Sequence, residues 1–269
     1  MIMGKTRTIL LLLIIITVAG CKGRGSGVTE KKEAMRENCI EGVQEHLDSI
    51  AANLLRIARP MPVIYECGEG EIELTPQQEK VKPKFYDVPA SLSANAITLS
   101  QQYRAVAILA VDRVVAELYG MPDIYTPEIK RLTVSIGDDA ILDMVNQESD
   151  VPYRERIAAL YRSESDNGRS RFFWEALTAA SVEQLYLIAS CRDVFMESLT
   201  TEDVQNIAFH VNILTDALSD MASLEPDMAP LCRVIAPLET LTAFDKDEFR
   251  EQMETIGDRV IEIRKDIMK

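Results

Sequence analysis

Residues 169–198 read RSRFFWEALTAASVEQLYLIASCRDVFMES. Phe172, Phe173, Trp174, Leu177, Ala179, Ala180, Val182, Leu185, Tyr186, Leu187, Ile188, Ala189, Val194 and Phe195 occupy most of a helical circumference, with no glycine or proline among them. A surface helix keeps one polar face, whereas a helix apolar nearly all round is enclosed by other elements. The segment therefore predicts a central, buried helix, and such a helix needs a layer of further helices around it.

Those helices are legible on both sides. Ser165-Asp166-Asn167-Gly168 forms a turn of residues that accept left-handed backbone angles, and Pro152 opens a helix ending near Glu164. Ser91 to Tyr119 reads as a strongly apolar second helix closed by Gly120 and Pro122. Thr126-Pro127 starts a third, running to about Glu148 with Gly137 as its weak point. Beyond the central segment, Thr200-Thr201-Glu202-Asp203 supplies a hydroxyl cap and an acidic first turn for a helix to about Ser223. Pro226 and Pro230 introduce a shorter one ending near Phe244. From Asp245 to Lys269, Phe249, Met253, Ile256, Val260, Ile263 and Ile267 form a seam that packs back onto the bundle. Thr29 to Arg59 is amphipathic through Ile40, Val43, Leu47, Ile50, Leu54 and Ile57, and Pro60 and Pro62 stop it. The expected fold is all-α, an antiparallel multi-helix bundle or array of about eight helices. One long Pro-rich loop, Met61 to Ala90, is either a packed wrapping segment or the functional part.

Composition agrees with a helical globule: 47% of the 269 residues are hydrophobic, only 6% are aromatic, and there are 12 Gly and 11 Pro. The net charge of -14 opposes contact with phosphate backbones, which makes nucleic acid an unsuitable partner. It equally disfavours a polybasic hold on anionic lipid.

The N-terminus carries an address. Lys5 and Arg7 precede an apolar run from Ile9 to Val18, which at roughly ten residues is too short to cross a bilayer. Val18-Ala19-Gly20-Cys21 closes it and resembles the lipobox of bacterial lipoproteins. That resemblance implies cleavage before Cys21 and lipidation of it, so that residues 1–20 are a signal peptide. Residues 21–28 are then a lipid-anchored tether rich in glycine, and 29–269 a single helical domain. Lys22 follows the cysteine without acidic neighbours, which points to the cell envelope, at the outer membrane facing the periplasm.

A second resemblance lies in the helical part. Asn167-Gly168-Arg169 followed by Leu177, Ala180, Val182-Glu183 and Leu185-Tyr186-Leu187 is similar to a turn and helix of helical lipoproteins in Bacteroidota. Tyr103 to Tyr119, with Asp112 inside an apolar run, is similar to their second helix. The chain departs from that pattern in the bulky Phe172-Phe173-Trp174 and in its Pro-rich loop. The resemblance implies a helical fold and an envelope compartment, and it adds no chemistry.

Chemistry-bearing residues are few. His46 and His210 lack a Glu three residues before them, so the Glu-x-x-His pairs of di-iron bundles are missing, and His210 reads as a core histidine. No metal, cofactor or catalytic set is expected. The acidic run Glu66, Glu69, Glu71 and Glu73 beside Cys67 reads as a solvated loop. Cys39, Cys67, Cys191 and Cys232 are available for disulfides in an oxidising compartment, against the alternative of buried thiols. Asp112, Glu175 and Glu183 stand out because each lies in an apolar helix, where a carboxylate must be paired, hydrogen-bonded or protonated. Arg113, Arg169, Arg171 and Arg192 are the nearest cations in sequence. Two readings follow. One is a non-catalytic structural or protein-interaction lipoprotein, held to the membrane by its N-terminal lipid and facing an envelope partner. The other is a binding module with a ligand pocket among Tyr103, Asp112, Trp174 and Glu183.

Overall fold

A computed structural model describes residues 42–56, 74, 76, 78–80, 83–85, 97–145 and 150–268. The expected signal peptide, the expected lipidation site Cys21 and tether, Cys39, Cys67 and most of the 61–90 stretch lie outside these residues. The chain divides into two units, Met1–Ile40 and Glu41–Lys269, and the second holds every helix described below.

Ten α-helices are present among the described residues, without strands: α1 (42–56), α2 (Leu99–Leu118), α3 (Tyr125–Ile136), α4 (Asp139–Val145), α5 (Tyr153–Asp166), α6 (Ser170–Ser190), α7 (Arg192–Ser198), α8 (Thr201–Leu224), α9 (Ala229–Ile235) and α10 (Lys246–Asp266). The fold is thus all-α, and the increase from eight helices to ten comes from two breaks. Gly137 adopts φ 70° and ends α3, after which Asp138 Oδ1 accepts the Ala140 N–H at 2.8 Å and starts α4. A glycine is the residue for which that backbone angle carries little steric cost. The second break is at Cys191, which leaves helical geometry at φ -126° and ψ 52°. Its carbonyl accepts from Val194 and Phe195, and the new direction buries Val194, Phe195 and Met196.

Starts and stops follow local chemistry. Thr98 and Gln101 form a capping box, so α2 begins at Leu99 rather than at Ser91. Thr200 and Asp203 form another at α8. Each such cap satisfies backbone N–H groups that the helix leaves open, at about 1 kcal/mol.

Sixteen of the 21 residues of α6 are buried. Each large apolar side chain enclosed this way contributes about 1.5–3 kcal/mol, far more than helix propensity does. Two buried hydroxyls of α6 bond their own helix: Thr178 Oγ1 donates to Trp174 O at 2.7 Å and Ser181 Oγ to Leu177 O at 2.9 Å.

Helix α6 packs most extensively on α2, then on α10, with α5, α7 and α8 completing its surround. Helices α2 and α6 run in the same sense, because Tyr103 stacks on Phe172 at 5.0 Å while Asp112, further along α2, bonds Glu183, further along α6. Three intervening helices permit this; short connections would impose the antiparallel direction. Helix α10 runs back along α6, with Glu183 meeting Arg264 and Arg192, at the start of α7, meeting Met253 O. Gly257 lies under the Arg192 side chain, whose guanidinium nitrogen stands 2.8 Å from where a Cβ would be. The α10 seam, with Phe249, Met253, Val260, Ile263 and Ile267 buried, is consumed by this packing.

The described residues of the Pro-rich stretch differ: Pro76, Glu79 and Lys80 are exposed, and the piece 83–85 is packed. Pro83 is buried, Lys84 O accepts from the Tyr186 hydroxyl at 2.9 Å, and Phe85 lies edge-on to Tyr119 and Tyr125.

Candidate functional site

The side chains with chemical potential gather in three buried clusters along α6. At one end of the α2–α6 contact, Ser100 Oγ donates to Glu175 Oε1 at 3.0 Å and Arg104 Nε stands 3.2 Å from Glu175 Oε2. Burial raises the Glu175 pKa and lowers that of Arg104, each against the attraction of its partner.

Beside it, Tyr103 donates to Glu164 Oε1 at 2.5 Å. Arg169, from the Asn167-Gly168-Arg169 turn, donates through NH2 to Asp138 Oδ2 at 2.9 Å. Its Nε stands 3.2 Å from Glu164 Oε2, but without hydrogen-bonding alignment. Ser163 Oγ adds a bond to Asp138 at 3.1 Å. Burial and the hydrogen bond with Asp138 push Glu164 up to about 7. Asp138 moves the other way: burial opposes ionisation, but the bonds from Glu164, Ala140 N–H and Ser163, with the Arg169 charge, hold it below the ordinary value.

At the far end, Arg264 Nε reaches both Glu183 oxygens, at 2.9 and 2.7 Å, and Arg264 NH2 lies 3.9 Å from Asp112 Oδ2. The guanidinium sits 4.0 Å over the Tyr186 ring. Burial raises Glu183, opposed by the Arg264 bond and charge and by the hydrogen bond with Asp112. Tyr125 is pushed up to about 12 by burial and by the Asp112 and Glu183 carboxylates.

These contacts locate the four residues of the expected ligand pocket. Tyr103, Asp112, Trp174 and Glu183 are all fully buried, and they serve different neighbourhoods. Tyr103 belongs with Glu164, Asp112 with Glu183, and Trp174 packs on Phe173 and Tyr161. A ligand on Asp112 and Glu183 would have to displace Arg264. The cations nearest in sequence are directed elsewhere: Arg113 to Thr126 and Val145 O, Arg171 to Glu225, and Arg192 to Met253 O. Sequence reasoning missed Arg104 and Arg264. The available signal was that Arg264 follows Val260 by four and precedes Ile267 by three, at the edge of an apolar seam.

His210 is a core residue with Nδ1 2.8 Å from Asn206 O, and burial lowers its pKa. Cys191 is buried and Cys232 half-buried, no disulfide joins these two, and Cys39 and Cys67 lie outside the described residues. Among the described residues, no group of three His, Cys, Asp or Glu is placed to hold a metal ion, and no helix is long and apolar enough to cross a membrane.

An open cleft of about 680 Å³ lies elsewhere, between the end of α2, α3 and α4. Met121, Ile129, Leu142 and Val145 give it apolar walls, and Glu117, Asp123, Lys130 and Asp143 mark it with charge. Three of the exposed large apolar residues belong to the same elements: Ile124 caps α3, Val134 is 79% exposed on α3, and Leu142 lies on α4.

No family model, curated protein or solved structure matches the chain.

Proposed function

We propose that this protein is a non-catalytic lipoprotein of the cell envelope, anchored through lipid on Cys21 at the outer membrane, facing the periplasm, and acting as a structural or protein-interaction module. The observation that supports it is the direction of the buried carboxylates. Glu175 and Glu183 face arginines of the same chain, as ties between helices, and Glu164 is met by the Tyr103 hydroxyl and Asp138. The accessible surface includes the cleft and the exposed apolar residues around α3 and α4, which are the face this reading offers to a protein partner. The envelope part of the reading rests on Val18-Ala19-Gly20-Cys21 and the short apolar run before it.

Two measurements test the two halves. With Cys21→Ala, the expressed full chain should leave the membrane fraction and lose the acyl mass; an unchanged fractionation and mass in the variant would remove the anchor. Native mass spectrometry of the exported chain should show no small-molecule adduct. An added mass that disappears on denaturation would replace the interaction reading with a ligand-binding one.

A further inference from the structure

We propose that Glu164 carries a proton in the resting fold and that this proton, shared with Asp138, is the catch that holds the α3–α4 elbow against α5 and α6. The elbow is the left-handed Gly137 followed at once by Asp138. Three elements meet at Asp138: α4 through the Ala140 N–H, α5 through Ser163 and Glu164, and the start of α6 through Arg169.

The geometry says where the proton sits. Arg169 NH2 is aligned on Asp138, so Asp138 is the carboxylate whose charge is answered by a hydrogen-bonded cation. Glu164 receives the Tyr103 hydroxyl on Oε1, and its Oε2 meets Arg169 without alignment. A proton on Oε2 turns that oxygen into a donor towards Asp138, within whose hydrogen-bonding reach Glu164 lies. The order is then Tyr103 to Glu164 to Asp138, with Arg169 closing it. The groups that face Glu164 are Tyr103 from α2, Asp138 from the elbow and Arg169 from the α5–α6 turn. If the proton leaves, two buried carboxylates oppose each other across one guanidinium, and Asp138 loses a donor. The way out is on the Arg169 side, where that side chain is 30% exposed and Glu164 itself is fully buried.

Release of the catch frees α4 to turn at Gly137, and α3 and α4 are two of the cleft's walls. Through this step the proton regulates access to the cleft, a consequence that rests on the cleft being the interaction face.

The test is hydrogen exchange on the full chain from about pH 5 to about pH 9, corrected for intrinsic rates, together with infrared spectroscopy of carboxyl groups. Wild type should show a protonated carboxyl band at neutral pH that is absent in Glu164→Gln. Protection of residues 137–145 should fall about tenfold or more as pH rises through about 7. Glu164→Gln keeps an acceptor for Tyr103 and a donor for Asp138, so it should hold the low-pH protection at every pH. The same pH profile in wild type and variant, or a neutral wild type lacking the band, overturns the proposal. If the variant fails to fold, the wild-type band decides: its presence at neutral pH and its loss as pH rises through about 7 support the proposal, and its absence overturns it. Neither readout requires a partner, so failure to find one for the cleft leaves this result intact.

Discussion

Two pairs of buried acids lie at different levels along α6, one at its start and one further on, and an arginine serves each, yet they are built for different behaviour. Arg264 is only 11% exposed, places Nε on both oxygens of Glu183 and stacks on Tyr186. Arg169 is 30% exposed and aligns on Asp138, leaving Glu164 to hydroxyl and carboxyl neighbours. The lesson is that the aim of the cation, more than the number of acids, fixes which carboxylate is tied by an arginine, while burial raises the pKa of Glu183 and Glu164 alike. A well-aimed, enclosed arginine makes a fixed tie between α6 and α10. One aimed past the deeper acid leaves that acid to titrate near neutrality.

The largest effect that would break this contrast is at Arg264. Arg264→Met leaves Glu183 and Asp112 buried without that cation and should cost about 3–5 kcal/mol in urea unfolding. Adding Asp112→Asn and Glu183→Gln should recover part of the loss. A single variant as stable as wild type would show that Arg264 is not the tie.

The next effect is in pH. The Glu164 pKa is raised from 4.5 to about 7 in the fold, so the native state binds its proton more tightly than the unfolded state does. The stability it contributes is complete below about 4.5 and is lost as pH rises through about 7. Wild type should therefore lose up to about 3 kcal/mol relative to Glu164→Gln across that window. Parallel stability curves for the two proteins would place the titration elsewhere.

The smallest effect sharpens the elbow. Gly137→Ala forces a side chain into φ 70° with nothing within 4 Å to clash, so the cost is backbone strain of about 1 kcal/mol. It should appear in the exchange rates of 137–145 before it appears in the global melting temperature.

Much of the fold was readable because it follows from local rules. The apolar circumference of 170–190 required burial, Thr200-Thr201-Glu202-Asp203 announced a cap, Asn167-Gly168 announced a turn, and Gly137 was the weak point where the third helix broke. Less of the site was readable. Asp112, Glu175 and Glu183 were visible as acids in apolar company, but Glu164 and Asp138 sit in polar stretches of sequence and carried no such mark. The same is true of Arg104, one helical turn from a cap.

Helix type, buried face and turn position depend on neighbours three or four residues away, and those are written in the chain itself. Which arginine meets which acid depends on how separate helices come together: Arg264 finds Glu183 across 81 residues of sequence, and Arg169 finds Asp138 across 31. The common direction of α2 and α6 and the bend at Cys191 are of the same kind, because each is set by packing against elements that local periodicity does not identify.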